Sequence, residues 1–251
     1  MLWGTFTVVH IISLIICLIV IIGLHFLLKL FSKKVKIGIL FILSFAGIAA
    51  IIFNLVMWNS PIEYLPLHMC SINAMLLPIT VLTRKRVLGT TTLFWCLGAA
   101  LALIVNTGQA NFEIMSPTFF FFYMPHMLEV AVPVLLFTTG LIKFDIKTVP
   151  FTIIITMLIY TGVHFANLGL NAYAEAKSLI DYAGNPIRVN YMYSLNTDGN
   201  PMLGFFYDLI PFKYWYMYGA IPLIVAYLGI IWGIERLCTG LKSKKNCNKS
   251  K

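Results

Sequence analysis

Residues 65–73 read LPLHMCSIN, placing His68, Cys70, Ser71 and Asn73 within six positions, immediately before an apolar run that continues to Thr83. The chemistry on offer is that of a thiol. Pro66 suits the first position of a helix, where its missing N–H costs nothing, and Cys70 then falls about one turn in. A helix N-terminus favours the nucleophilic thiolate, and its unpaired N–H groups steady an oxyanion. Burial in apolar surroundings acts the other way, and a free cysteine is more commonly a small buried hydrophobe. His68 and Cys70 are also zinc-ligand types. Two residues apart on a helix they point to nearly opposite sides, and no CxxC or HxxxH spacing occurs, so no metal site is expected. The sequence also lacks a G-x-S-x-G elbow, a phosphate loop and a dinucleotide fingerprint; no cofactor is expected.

Two further spacings bear on this. His126 and Glu129 are three apart, close enough on a helix for the carboxylate to orient the imidazole. His164, Asn167 and Asn171 follow i, i+3, i+7 and form one stripe down a helix. Any one such residue in a helix bundle commonly acts as interhelical glue, worth roughly 0.6 kcal/mol.

What must position these groups is a bilayer. Of 251 residues, 60% are hydrophobic and only 11% are charged, against about 25% in a soluble chain; mean hydropathy is +0.88. Spans of about 20 apolar residues are the expected unit. Seven can be drawn, at about 4–28, 36–58, 65–83, 88–107, 117–141, 150–171 and 213–235. The opening segment has no basic leader and no small-residue cleavage site, so it is expected to remain as the first helix. The fold class is therefore all-α: a polytopic membrane bundle of seven helices forming a single domain over 1–236, with a long outer segment at 172–212 and a basic tail at 237–251.

Lys and Arg set the orientation. They follow spans one (Lys29, Lys33, Lys34, Lys36), three (Arg84, Lys85, Arg86) and five (Lys143, Lys147), and recur from Arg236 onward. The alternate loops hold only Lys177, Arg188 and Lys213. The positive-inside rule then predicts an outside N-terminus and a cytoplasmic C-terminus. The net charge of +9 needs no nucleic acid, because anionic lipids at the cytoplasmic face attract it. Oligomeric state is not encoded legibly. The five cysteines make no disulfide framework: Cys17 and Cys96 lie within spans, Cys238 and Cys247 in or beside the cytoplasm, and Cys70 alone near the outer face.

Depth follows from the helical rise: His126 lies roughly 13 Å below the outer surface, with Glu129 a turn further. His10, Asn54, His68, Asn106, His164, Asn167 and Asn171 also fall in the outer half of their spans, which leaves His25 as the one deep histidine. Polar groups at such depth are costly when facing lipid. They are expected to meet in one outward-facing cavity lined by Cys70, His126 and His164, with spans three, five and six as mutual neighbours. A pocket of this kind also suits a solute-binding or transport protein, although no pair of broken helices marks two related halves.

The motifs carry a resemblance. LPLHMCSI in span three, FFFFYMPHMLEV in span five and NYMYSLNTDGNPMLGFFYDLIPFKYWYM before span seven resemble the YwaF-like integral membrane proteins of bacteria, over about residues 40 to 235. That group is in turn similar to a eukaryotic transmembrane acyltransferase that moves acyl chains on ether phospholipids with a cysteine nucleophile and a partner histidine. The resemblance implies a lipid acyltransferase or transacylase of the bacterial cell membrane, acting on membrane lipid. Cys70 would be nucleophile, His126 base and acid, and Glu129 the orienter of His126. His68, Asn73, His164, Asn167 and Asn190 would hold polar substrate groups. The chain departs from the pattern at NTGQANFE after span four, at Met127 after His126, and in the insertion-like stretch AYAEAKSLIDYAGNPIRV.

Overall fold

The computed structural model describes residues 2–58, 60–105, 112–181 and 183–249, with side chains for all of these except 201, 202 and 238–249. Asn106 and most of the 106–113 departure lie outside the described residues. The described chain is mostly helical, with two short strands and a largely irregular stretch between Lys177 and Asn200.

Six helices are long and apolar enough to cross a bilayer. They are α1 (Val8–Lys29), the pair α2 (Lys33–Leu43) and α3 (Ala46–Met57) as one broken span, α5 (Arg86–Val105), α6 (Pro117–Thr138), α7 (Val149–Ala176) with its leading 3-10 turn, and the stretch Trp215–Leu237 leading into and through most of the membrane part of α9 (Ile221–Lys249). The seventh apolar helix, α4 (Met69–Thr83), has 15 residues, about 22 Å of rise against a hydrocarbon core of about 30 Å. It starts later than Pro66 leads one to expect. Leu67 N–H bonds Leu65 O at 2.7 Å in a tight turn, and His68 stays extended at φ −73°, ψ 154° as the N-cap residue. Proline here precedes the helix by a turn of chain and does not open it. The last helix continues to Lys249, so the described part of the basic tail extends α9.

α5 and α6 form the centre, packed chiefly on each other, with α4 seated against both. α1, α2 and α3 gather on the α6 side and α7 on the α5 side, with α9 against α7. Spans three and five are therefore neighbours as expected. Span six is displaced, because α7 packs on α5 and not on α6. The reason is a polar seam: Thr90 Oγ1 meets Thr148 Oγ1 at 2.7 Å, Thr91 meets Thr152 at 3.3 Å, and Trp95 Nε1 donates to Thr156 Oγ1 at 2.9 Å. Thr148, Thr152 and Thr156 are four apart, one stripe of α7 and its lead-in. At the chain's start, Leu2–Trp3 (β1) pairs antiparallel with Phe112–Glu113 (β2). His10 joins α1 to α5: it takes the Phe6 N–H on Nδ1 at 2.9 Å and bonds Leu103 O through Nε2 at 2.6 Å. Both ring nitrogens are used, so His10 is a staple.

Close approach of α3 to α4 and α6 depends on Gly47. A Cβ there would run into Ala74 Cβ and stand 3.1 Å from Glu129 Oε1.

In the 172–212 segment the insertion-like stretch closes on itself. Ile180 bridges Pro186, and the Asp181 carboxylate accepts from Ala183 N and Asn185 N at 2.8 Å each. These N–H donors, Asn185 first, hold the Asp181 carboxyl below its ordinary range.

Two outcomes are expected. Gly47→Ala separates α3 from α4 and costs about 1–3 kcal/mol of overpacking, read as a lower thermal midpoint in detergent. For Asp181, a depressed folded-state value means that its contribution is complete above the unfolded value of about 3.9 and is lost as pH falls through the lower folded one. Hydrogen exchange at Ala183 and Asn185 should therefore stay protected down to that acid range, and Asp181→Asn should weaken the protection at neutral pH.

Candidate functional site

Below the start of α4 lies a partly open cavity of about 310 Å³, within the range of ligand pockets. Its walls come from α4, α5, α7, the 192–203 stretch and the lead-in and start of α9. They are mostly Met, Leu, Ile, Val, Ala and Phe, with polar atoms from His68, Cys70, Thr156, Tyr160, Tyr193 and Asn200. Among the residues selected from sequence, His68 and Cys70 line it. His126, Glu129, Asn73, His164, Asn167 and Asn190 are not among the residues that line this cavity.

His68 and Cys70 share the cavity because His68 precedes the helix. The opposite-sides rule for residues two apart applies only inside a helix, and here it does not hold. Among the described residues no group of three or more His, Cys, Asp and Glu side chains gathers as metal ligands. Cys70 is the second residue of α4 and a free thiol, half-buried where Cys17 and Cys96 are buried. Its sulfur sits beside Ser71, among the N–H groups that open α4. These are the helix-start donors that lack an intrahelical partner.

Behind the thiol is a buried polar layer. Asn73 and Ala74 continue down α4 from Cys70 at i+3 and i+4. Asn73 is wholly buried, and neither of its amide atoms has a hydrogen-bond partner. Glu129 on α6 is 4% exposed, its Oε2 is also without a partner, and it lies within electrostatic range of His126, Cys70 and Cys96. His126 is oriented differently from expectation: its Nδ1 bonds the Phe122 carbonyl at 2.7 Å. A carbonyl only accepts, so Nδ1 carries the proton and the neutral ring keeps Nε2 bare, which is the state of a base. Pro125 beside it is one of two prolines inside α6, which loosen the local backbone ladder.

The stripe on α7 turns out to be a clamp. Asn171 Nδ2 donates to Val189 O at 2.9 Å while Val189 N–H donates to Asn171 Oδ1 at 2.7 Å. Asn167 repeats the pattern with Tyr191, Nδ2 to O at 2.8 Å and N–H to Oδ1 at 3.0 Å, and gives its second proton to Ser194 Oγ at 2.9 Å. His164 Nδ1 pairs with Ser194 Oγ at 3.1 Å. The donors of Asn167 are fully engaged within the protein. Asn190 is likewise committed, to Asn196, Asp198 and Leu195 N.

The clamp holds Met192 and Tyr193 in left-handed backbone conformation, φ 53° and 56°, which costs non-glycine residues about 1–2 kcal/mol each. Both line the cavity. Met192 N–H reaches His68 Nδ1 at 3.5 Å, and the Tyr191 ring meets His68 edge-on at 5.1 Å. The Tyr191 hydroxyl donates to Ile62 O and accepts from Leu65 N at 3.0 Å. The roles of Met192, Tyr193 and the α5 and α9 walls carry no local signal in the sequence, since the cavity is assembled from five separated stretches.

Fold and site together define a multi-pass membrane protein with a thiol and an imidazole facing an apolar cavity. The chain belongs to the TMEM164 family, whose profile matches residues 5–232. That span takes in every element of the cavity. No curated protein and no solved structure matches the chain.

Replacing Asn167 by Ala leaves the buried Tyr191 N–H and C=O unpaired. The expected cost is about 1–3 kcal/mol, seen as a lower denaturation midpoint together with faster proteolysis between residues 187 and 200.

Proposed function

We propose that this protein is a membrane-embedded acyltransferase or transacylase that remodels glycerolipid acyl chains through Cys70, as a YwaF-like protein of the bacterial cell membrane. The observation that carries this reading is the free Cys70 thiol in the first turn of α4, facing, with His68, an apolar cavity of about 310 Å³. The lining suits a hydrocarbon chain better than a small polar solute, which ranks a transport role second.

In the forward step the Cys70 thiolate attacks the ester carbonyl of a phospholipid. The thiol proton passes to His126 Nε2, whose bare state is set by the Phe122 carbonyl. The tetrahedral oxyanion is met by the N–H groups at the start of α4 and by His68. Since Met192 N–H occupies His68 Nδ1, the neutral ring carries its proton on Nε2 and acts as a donor. Collapse breaks the ester C–O bond, the proton leaves with the lysolipid hydroxyl, and the acyl group remains as a thioester. A second lysolipid hydroxyl then attacks that thioester and regenerates the thiol. The acyl donor is itself a lipid, so no cofactor enters. Glu129 acts behind His126 and Cys70 as a buried electrostatic neighbour. Asn167, His164 and Asn190 serve as positioning residues through the clamp, and Asn73 lies in the buried layer. With the N-terminus outside, the cavity takes lipid from the outer leaflet while the basic face contacts anionic lipid.

The test compares membrane acyl-chain distributions in cells carrying wild type or Cys70→Ala at equal abundance. The wild type should shift the distribution and trap a thioester on Cys70; identical distributions overturn the reading. In the same assay His68→Ala should lose about 10²–10³ in rate, the value of one oxyanion donor, while His68→Gln, which keeps an N–H, should retain most of it.

A further inference from the structure

The short helix α8 (Pro201–Leu209) sits between the cavity and the outside of the molecule. Leu203 points inward, 5% exposed and lining the cavity with Asn200. Phe206, also 5% exposed, packs with Leu203 and Tyr216. The outward side is apolar as well: Phe205 is 65% exposed and Leu209 64%, and Phe212 and Trp215 further along the chain are exposed too. Phe205 and Leu209 are i, i+4 on one face of α8, and Phe212 follows in the turn after it. Gly219 lets the lead-in to α9 close on this unit, since a Cβ there would stand 3.3 Å from Phe206. The chain leads from this face directly into Trp215–Leu237, a span apolar enough to cross the bilayer, where Leu223 and Val225 are exposed in turn.

We infer that α8 lies in the outer interface of the bilayer with Phe205, Leu209 and Phe212 in the acyl region, and that its edge is the portal by which a lipid chain passes sideways from the leaflet into the Cys70 cavity. The occupant of this face is phospholipid, because its apolar side chains stand where the chain enters a span that must meet lipid. Trp215 and Tyr218, whose rings pack at 5.2 Å, are of the types that settle at headgroup level. Exposed Asp208 and Lys213 stand beside the apolar face, as in helices that lie in the interface plane. Lateral entry also fits the cavity's own lining, since a chain taken directly from the leaflet never crosses water. The part of the inference that concerns entry to Cys70 builds on the proposed function, but its readouts below do not require turnover.

The first experiment places a photo-crosslinking amino acid at Phe205, and separately at Asp181, in the full chain reconstituted in phosphatidylcholine vesicles. Position 205 should yield a phospholipid adduct and position 181 should not. A crosslink from 205 to a second copy of the chain or to another protein, or none at all, overturns the interfacial placement. The second measures alkylation of Cys70 by a long-chain maleimide lipid dissolved in the bilayer and by a small soluble maleimide. Phe205→Lys with Leu209→Lys should slow the lipid reagent several-fold and leave the soluble one unchanged, which also shows that the variant is folded. Equal rates with both reagents, or equal slowing of both, remove the portal. Either result leaves the Cys70 chemistry to be judged by the acyl-chain comparison.

Discussion

Two asparagine side chains hold an irregular stretch of the chain by the backbone pairing that a neighbouring β-strand would offer. An amide offers one donor and one acceptor on the same edge, the pattern that a residue in a strand presents. Asn167 and Asn171 are four apart on α7, about 6.0 Å of helical rise, and face Tyr191 and Val189, two apart in the irregular chain that leads into the 3-10 turn Tyr191–Tyr193. Both amides find a reciprocal pairing with the backbone there. The rest of the site leans on it. Tyr191, once fixed, bonds the chain at Ile62 and Leu65 and so sets the entry to α4. Met192 and Tyr193 are held in a backbone state that they would not choose alone, and His68 is turned by the Met192 N–H. Side chains in the low-dielectric interior are well placed for this work, since an unpaired backbone group there is costly.

Cys70 stands at a boundary. On one side is an apolar cavity shaped by α5, α7 and α9. On the other is a small polar layer in which the Asn73 amide and Glu129 Oε2 find no hydrogen-bond partner among the described residues. A thiol placed wholly in the first environment would be inert packing, and one placed wholly in the second would be out of reach of a hydrocarbon ligand. The first turn of α4 supplies the link, because Cys70 sits among the N–H groups there that have no partner within the helix.

Much of the fold was legible because bilayer physics writes it in plain composition. Six spans appear where apolar runs predict them, and the short α4 fell inside a predicted one. The start of α4 was not legible, because Pro66 fits equally well in the turn before a helix, and only the Leu67–Leu65 hydrogen bond decides. The i, i+3, i+7 stripe was readable as one face. What it faces was not, because its partners lie in irregular chain that no periodicity marks. The placement of α7 was missed for a related reason. Depth can be counted along each helix, but neighbours are chosen by side-chain matches such as Thr91 with Thr152 and Trp95 with Thr156, and several threonine faces on this chain would have served.

The clamp also bears on the order in which the molecule assembles. Its bonds join residues 18 to 30 apart, so the hairpin of α7 and the stretch after it is a local unit with little loop entropy to overcome. The bonds from Tyr191 to residues 62 and 65 span 126 to 129 positions and join that unit to the far part of the chain. During synthesis α4 emerges long before residue 191, and its entry waits without its anchor until the hairpin arrives. The thiol's surroundings are thus completed late, when the C-terminal third has been inserted, and a nascent chain that stops short of residue 191 holds α4 without the stretch that orders its start.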